Sequence, residues 1–194
     1  MEELKILKLG EPVLRQVCAP VDPSEINDEF RDLLDQMFDL MYEANGVGLA
    51  APQVGISKRF FVIVSDDDVE RVFINPQIIK TSAETGPYDE GCLSIPGESE
   101  TIIRPLKVTV SALDQNGKPF TLEADKLLAR IIQHEYDHLD GIVYIDRGDK
   151  EFAQKVEEKF AKKAEKALEK AKAKAAKNAK IQAKLAAKAA KKNS

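Results

Sequence analysis

Apolar positions along the chain change period several times. From Asp22 to Asn45, Ile26, Phe30, Leu33, Leu34, Met37, Leu40 and Met41 recur at three- and four-residue steps with acids on the other face, which predicts an amphipathic helix. Ser24 stands as its N-cap, Asp28 and Glu29 fall in its first turns, and Asn45-Gly46 supplies the turn that ends it. Arg59–Ser65 is a continuous apolar run of strand length, and Val72–Ile79 is a second strand in which Pro76 marks an edge or a bulge. Ile102–Leu113 and Phe120–Leu122 read as further strands, joined through Asp114-Gln115-Asn116-Gly117. Asp125 then caps a helix from Lys126 to Leu139, and Phe152, Val156, Phe160, Ala164 and Leu168 form one stripe of a long final helix.

Two stretches lack either period. Gly46–Gly55 holds three glycines and a proline in ten residues, which excludes a regular helix and lets another backbone approach closely. Tyr88–Gly97, bounded by Gly and Pro, reads as a loop, and loops are where ligating side chains often sit.

Composition divides the chain. Of 194 residues 43% are apolar, enough for one core, and the break comes at residues 148/149. Residues 1–148 form the predicted domain and residues 149–194 a Lys/Ala-rich helical extension. Residues 151–194 carry fourteen lysines and five glutamates, a local charge of +9, on a body of −13. From Ala171 onward ten of 24 residues are alanine and eight are lysine, with only Ile181 and Leu185 to bury. That segment is expected to be a solvated helix that frays toward its end. The chain has no run of 18 apolar residues, and its acidic N-terminus lacks an apolar targeting segment, so a cytoplasmic protein off the membrane is expected. Two cysteines, Cys18 and Cys92, fit a reducing compartment in which a thiolate can ligate metal.

The chain spends both of its histidines on one spacing, in Gln133-His134-Glu135-Tyr136-Asp137-His138. Residues four apart on a helix share a face, so both imidazoles can point at one ion. Glutamate between them is the general base of metallohydrolases with this spacing. A catalytic site needs a third protein ligand and an open position. Cys92 has the better context, Cys18 reads as a small buried residue, and Glu151, Glu157 and Glu158 open the lysine-rich helix. Spacing alone leaves that ligand open.

Three segments, Gly46–Gln53 (GVGLAAPQ), Glu90–Ser94 (EGCLS) and Gln133–His138 (QHEYDH), resemble the motifs of the peptide deformylase family in its order and with similar separations. The opening Leu9–Val21 resembles its N-terminal pattern, and the likeness covers about residues 4–150. The resemblance implies removal of the formyl group from formylmethionine of new polypeptides. It implies Cys92, His134 and His138 as metal ligands, Glu135 as general base, and the Gln53 amide and Leu93 N–H as donors to the reacting carbonyl oxygen. It implies Fe²⁺ as the usual ion, with Zn²⁺, Ni²⁺ or Co²⁺ able to replace it. Gly46, Val47, Gly48, Glu90, Leu127 and Ile131 are implied at the substrate site; Arg104 matches a position the family commonly keeps basic, and the sequence leaves open a pair with Glu90 behind the metal or an ordinary surface arginine before Pro105.

Ser99 departs from the pattern, standing where the family often carries arginine, and this puts one contact to the peptide backbone in doubt. Similarity to members that use a C-terminal helix on the ribosome makes the basic extension a candidate for the same use; a solubilising helix is the plainer alternative. Two rival readings are an endopeptidase of the HExxH kind, which needs a convincing ligand after His138, and an inactive ribosome-binding scaffold, which predicts a damaged site. The elements and the resemblance together imply an α+β fold. Antiparallel, partly curled sheets surround the HExxH helix, helix 24–45 lies outside, and the long C-terminal helix projects.

Overall fold

The computed structural model describes residues 4–190, with side chains as far as residue 182. The elements are α1 (Asp28–Glu43), β1 (Gly48–Ala50), β2 (Phe60–Ile63), β3 (Arg71–Thr81), β4 (Thr85–Cys92), β5 (Ile95–Pro105), β6 (Lys107–Leu113), β7 (Pro119–Asp125), α2 (Lys126–Leu139) and α3 (Lys150–Ala190). One antiparallel sheet runs in the order β1-β2-β3-β6-β7, and β4 and β5 form a separate antiparallel hairpin. The α+β arrangement expected from the sequence is the one found.

The apolar run 59–65 is explained by its place in the sheet. Phe60 and Val62 point to the layer of α1, where Leu34, Met37 and Met41 are buried. Phe61 and Ile63 point to the layer of α2, where Ala129, Ile132 and Leu139 are buried. A strand covered on both faces reads as a continuous apolar run instead of an alternation. Fully burying side chains of this size contributes about 1.5–3 kcal/mol each.

Several boundaries differ from the sequence reading. Helix α1 starts later than Ser24. Asp22 and Glu25 close a capping box on a separate 3-10 turn, Pro23–Glu25, and the Ser24 hydroxyl is turned back onto Asp22 at 2.6 Å. The cap of α1 is Asn27, which accepts from the Phe30 N–H at 3.0 Å. Asp125 does occupy the N-cap position of α2, but its side chain makes no capping bond. The single strand expected over 102–113 is two, interrupted between Pro105 and Lys107 as the chain passes from the hairpin into the five-stranded sheet. The loop expected over 88–97 is the end of that hairpin: β4 runs through to Cys92 and β5 begins at Ile95. Pro76 lies in a register shift between Ile74 and Gln77, the bulge its missing N–H requires.

A third apolar cluster joins the hairpin to the C-terminal part. Ile95 and Ile102 pack with Tyr144, Ile145, Val156 and Phe160. Helix α3 is thus fixed at its base. Leu168 and Ile181 stand exposed, and the helix continues to Ala190; the expected fraying beyond it lies outside the described residues. No described helix is long and apolar enough to cross a membrane.

Helix α2 ends in a turn that only glycine fits well. Gly141 has φ +72, and a Cβ there would stand 2.7 Å from the Arg15 carbonyl carbon. Gly141→Ala is expected to destabilise the protein by about 1–3 kcal/mol, read as a lower denaturant midpoint at unchanged slope.

Candidate metal centre and its pocket

Helix α2 carries His134 and His138 one turn apart, with ring centroids 5.2 Å from each other. The hairpin brings the third group. A register break between Glu90 and Cys92 ends the regular β4–β5 ladder and sets Cys92 at the turn. Its Sγ lies 3.3 Å from His138 Nε2. Ligand atoms of Cys92, His134 and His138 all lie within 4.8 Å of one another. One thiolate and two imidazoles are a donor set for a divalent transition metal, and three protein ligands are the number that leaves a position open. Cys18, the other candidate, is buried near the Leu139 carbonyl end of α2, away from this group.

A four-residue 3-10 turn after β1, Ala51–Val54, places Gln53 beside the thiol. Gln53 Oε1 accepts from the Ala50 N–H at 2.8 Å, which orients the amide. Its Nε2 donates to Ser94 Oγ at 3.1 Å and to Cys92 Sγ at 3.4 Å. The donor end therefore faces the metal group.

Glu135 is buried, and its Oε2 has no hydrogen-bond partner among the described residues. The space for it comes from Gly48: a Cβ at that position would stand 2.3 Å from Glu135 Oε1. Burial pushes its carboxyl up to about 7. Glu90 is buried as deeply but goes the other way. Burial works to raise its pKa, but hydrogen bonds from His134 and Arg104 overcome it and hold the carboxyl at about 2. His134 Nδ1 donates to Glu90 Oε2 at 2.9 Å, which leaves the other ring nitrogen for the metal group. Arg104 holds both Glu90 oxygens at 2.7 and 2.9 Å and reaches Asp137 at 2.6 Å.

Beside these groups opens a cavity of about 430 Å³. Gly46, Val47, Leu127 and Ile131 form apolar wall, with Gly48, Gln53, Glu90, Cys92, Leu93, His134 and Glu135 also on the lining. His138 belongs to the metal group without lining the cavity, and Arg104 lies behind it. Ser99 is exposed on β5 and is absent from the lining. Both Glu90 oxygens are spent on Arg104, Arg130 and His134, so its place in the wall is structural. Sequence reasoning missed Ser94, Arg130, Asp137 and Tyr144, whose ring stacks on His134 at 6.0 Å. Arg130 had a signal: a charge inside the apolar run Leu127–Ile132, one turn before His134.

The sequence profile of the polypeptide deformylase family matches residues 3–154. The chain belongs to the peptide deformylase family. The deformylase of Treponema pallidum is 53% identical over 148 residues, covering 76% of this chain and 88% of that one. That of Fusobacterium nucleatum is 50% identical over 143 residues, covering 74% and 82%. Among solved deformylases, one from Synechococcus elongatus in complex with actinonin superposes with a TM-score of 0.75 at 45% identity, covering 82% of this chain and 86% of that chain. One from Legionella pneumophila gives 0.77 at 39%, covering 85% and 97%.

Raising the pKa of a buried acid has a sign that can be tested in the metal-free protein. Between pH 4.5 and about 7 the unfolded chain has released the Glu135 proton and the folded chain has not, so Glu135 costs stability as pH rises through that window. Glu135→Gln removes the titration. Its stability advantage over wild type is expected to be small at pH 5 and to grow to as much as about 3 kcal/mol by pH 8. Denaturant titrations of both metal-free proteins across that range measure it; a difference independent of pH would contradict it.

Proposed function

We propose that residues 1–148 form a metal-dependent catalytic body that hydrolyses the N-terminal formamide of formylmethionyl polypeptides, releasing formate and a free amine. The observation that carries the reading is the meeting of Cys92, His134 and His138 within 4.8 Å beside the unpartnered oxygen of Glu135, on the wall of one cavity. The residues fit the ion that the family uses. The imidazole of His134 is oriented from behind by Glu90, the usual way a ligating histidine is held. The donor set accepts Zn²⁺, Ni²⁺ or Co²⁺; ferrous iron is our assignment for the resident ion, on family membership.

When bound, a divalent ion there polarises the formyl oxygen and lowers the pKa of a water from 15.7 toward about 7. Glu135, at its free Oε2, takes the proton of the water that attacks the formyl carbon. Charge then builds on the formyl oxygen, where Gln53 Nε2 and the Leu93 N–H donate; losing one such donor commonly costs about 2.7–4 kcal/mol. Glu135 delivers its proton to the departing nitrogen as the C–N bond breaks. Val47, Leu127 and Ile131 take the methionine side chain. β1 is an edge strand of the five-stranded sheet, and an extended substrate can add to it alongside Gly46–Gly48. Ser99 leaves that backbone without the arginine contact common in the family.

The decisive assay is formate and amine release from a formyl-Met peptide by anaerobically purified, iron-loaded protein. Glu135→Ala is expected to lose 10²–10⁴-fold in rate while keeping its metal. Release of amine from internal bonds with the formyl group intact would establish the rival endopeptidase.

We further propose that the extension over residues 149–194 docks the protein on the ribosome, in the cytoplasm where formylated chains emerge. The support is the +9 charge of residues 151–194 together with the exposure of α3 from residue 161 to 182. Deletion after Phe160 keeps the buried base of α3 and is expected to leave small-peptide turnover intact while abolishing ribosome co-sedimentation. Unchanged sedimentation at low salt would rule the docking out.

A further inference from the structure

The metal group is assembled from two elements that do not share a sheet. Both imidazoles ride on α2, whose apolar side packs into the five-stranded sheet, while the thiol ends a strand of the β4–β5 hairpin. Something must hold the hairpin at a set distance from the helix.

Arg130 is the side chain placed to do so. It lies on α2 one turn before His134, lines the cavity and is 7% exposed. Its Nη2 donates to the Gly86 carbonyl on β4 at 2.8 Å, and its Nη1 to the Ile102 carbonyl on β5 at 3.0 Å. The same Nη1 donates to Glu90 Oε1 at 2.9 Å. One guanidinium thus grips both strands of the hairpin, and grips β4 at two points, Gly86 and Glu90, on the way to Cys92. It also supplies the second cation on the carboxylate that orients His134. Its plane lies over the Tyr88 ring at 5.6 Å, in the cavity wall.

We propose that Arg130 is a positioning residue for the metal centre: it fixes the Cys92 thiolate relative to the two imidazoles and holds Glu90 in the orientation that serves His134. Arg104 ties the same two elements from the other side: it binds Glu90 from β5, and its remaining nitrogen crosses to Asp137 on α2. Gln133 adds one bond from α2 to the Pro105 carbonyl of β5, and among the described residues only Arg130 donates from the ligand helix to the backbone of both hairpin strands. A lysine cannot replace it, because one ammonium on a flexible stem does not present the planar fork that meets three acceptors on two strands at once.

The inference rests on Cys92, His134 and His138 being the ligands, and its test separates the two claims. Metal-free protein is loaded with Co²⁺, its visible spectrum is recorded, and release to a chelator is timed. Wild type is expected to show thiolate-to-cobalt absorption; without it the ligand set itself falls. Arg130→Met is expected to release Co²⁺ 10–100-fold faster with a shifted spectrum. Arg130→Lys, which keeps the charge and serves if the Met variant does not fold, is expected to release it faster than wild type as well. Leu34→Ala, on the opposite face of the sheet, controls for lost stability and is expected to leave spectrum and release unchanged. Wild-type release and spectrum in both Arg130 variants would overturn the proposal, as would full rescue by lysine or equal acceleration in the Leu34 control.

Discussion

The carboxylate of Glu90 sits almost out of water with two guanidiniums and an imidazole around it, and the rest of the site is arranged about that fact. A charge in such a place costs several kcal/mol unless its partners follow it in. Arg104 comes from β5, Arg130 and His134 from α2, so satisfying one acid draws a hairpin and a helix together. Asp137 repeats the device one turn later, between Arg104 and the half-exposed Arg147. Replacing such a network by apolar groups often leaves stability unchanged or raises it. Here the polar geometry has a second use, because one end of it is a histidine whose other nitrogen faces the metal group.

Glu90 and Glu135 show how position divides the same functional group into two tasks. Glu90 meets cations and stays ionised. Glu135 meets the backbone at Gly48 and apolar wall, so burial raises its pKa toward neutrality. A base is most useful near the working pH, where it can both take a proton and return it. Gly48 contributes by what it lacks, since any side chain there would occupy the space of the carboxylate.

The C-terminal helix belongs to the body at one end and to solvent at the other. Val156 and Phe160 are buried against the hairpin cluster, Arg15 pairs with Glu157 at 2.7 Å, and Lys159 pairs with Glu98 on the cavity lining. The family match ends at residue 154, within that docked base. Compositional change marks the helix start, whereas packing carries the body a few turns into it.

Most of the elements, and the candidate histidines and glutamate that ride on one of them, are legible in the amino-acid order alone. Two histidines four apart, a glutamate between them and the apolar flank of 127–132 are local facts, readable because helical spacing puts them on one face. The double-faced burial of 60–63 was legible as an apolar run. Spacing left open which cysteine joins the histidines, since 42 residues separate Cys92 from His134 and no local period spans that distance; the family motifs implied Cys92, and the folding of the hairpin against α2 is what brings it there. Only the tertiary structure decided that 85–105 is a hairpin: its charged residues face buried partners or solvent, so the segment lacks the alternation that marks a strand. The burial of Asp137 was equally hidden, and Arg130 showed only as a charge inside an apolar run, because a buried charge is defined by what surrounds it, and those surroundings come from strands far away in the chain.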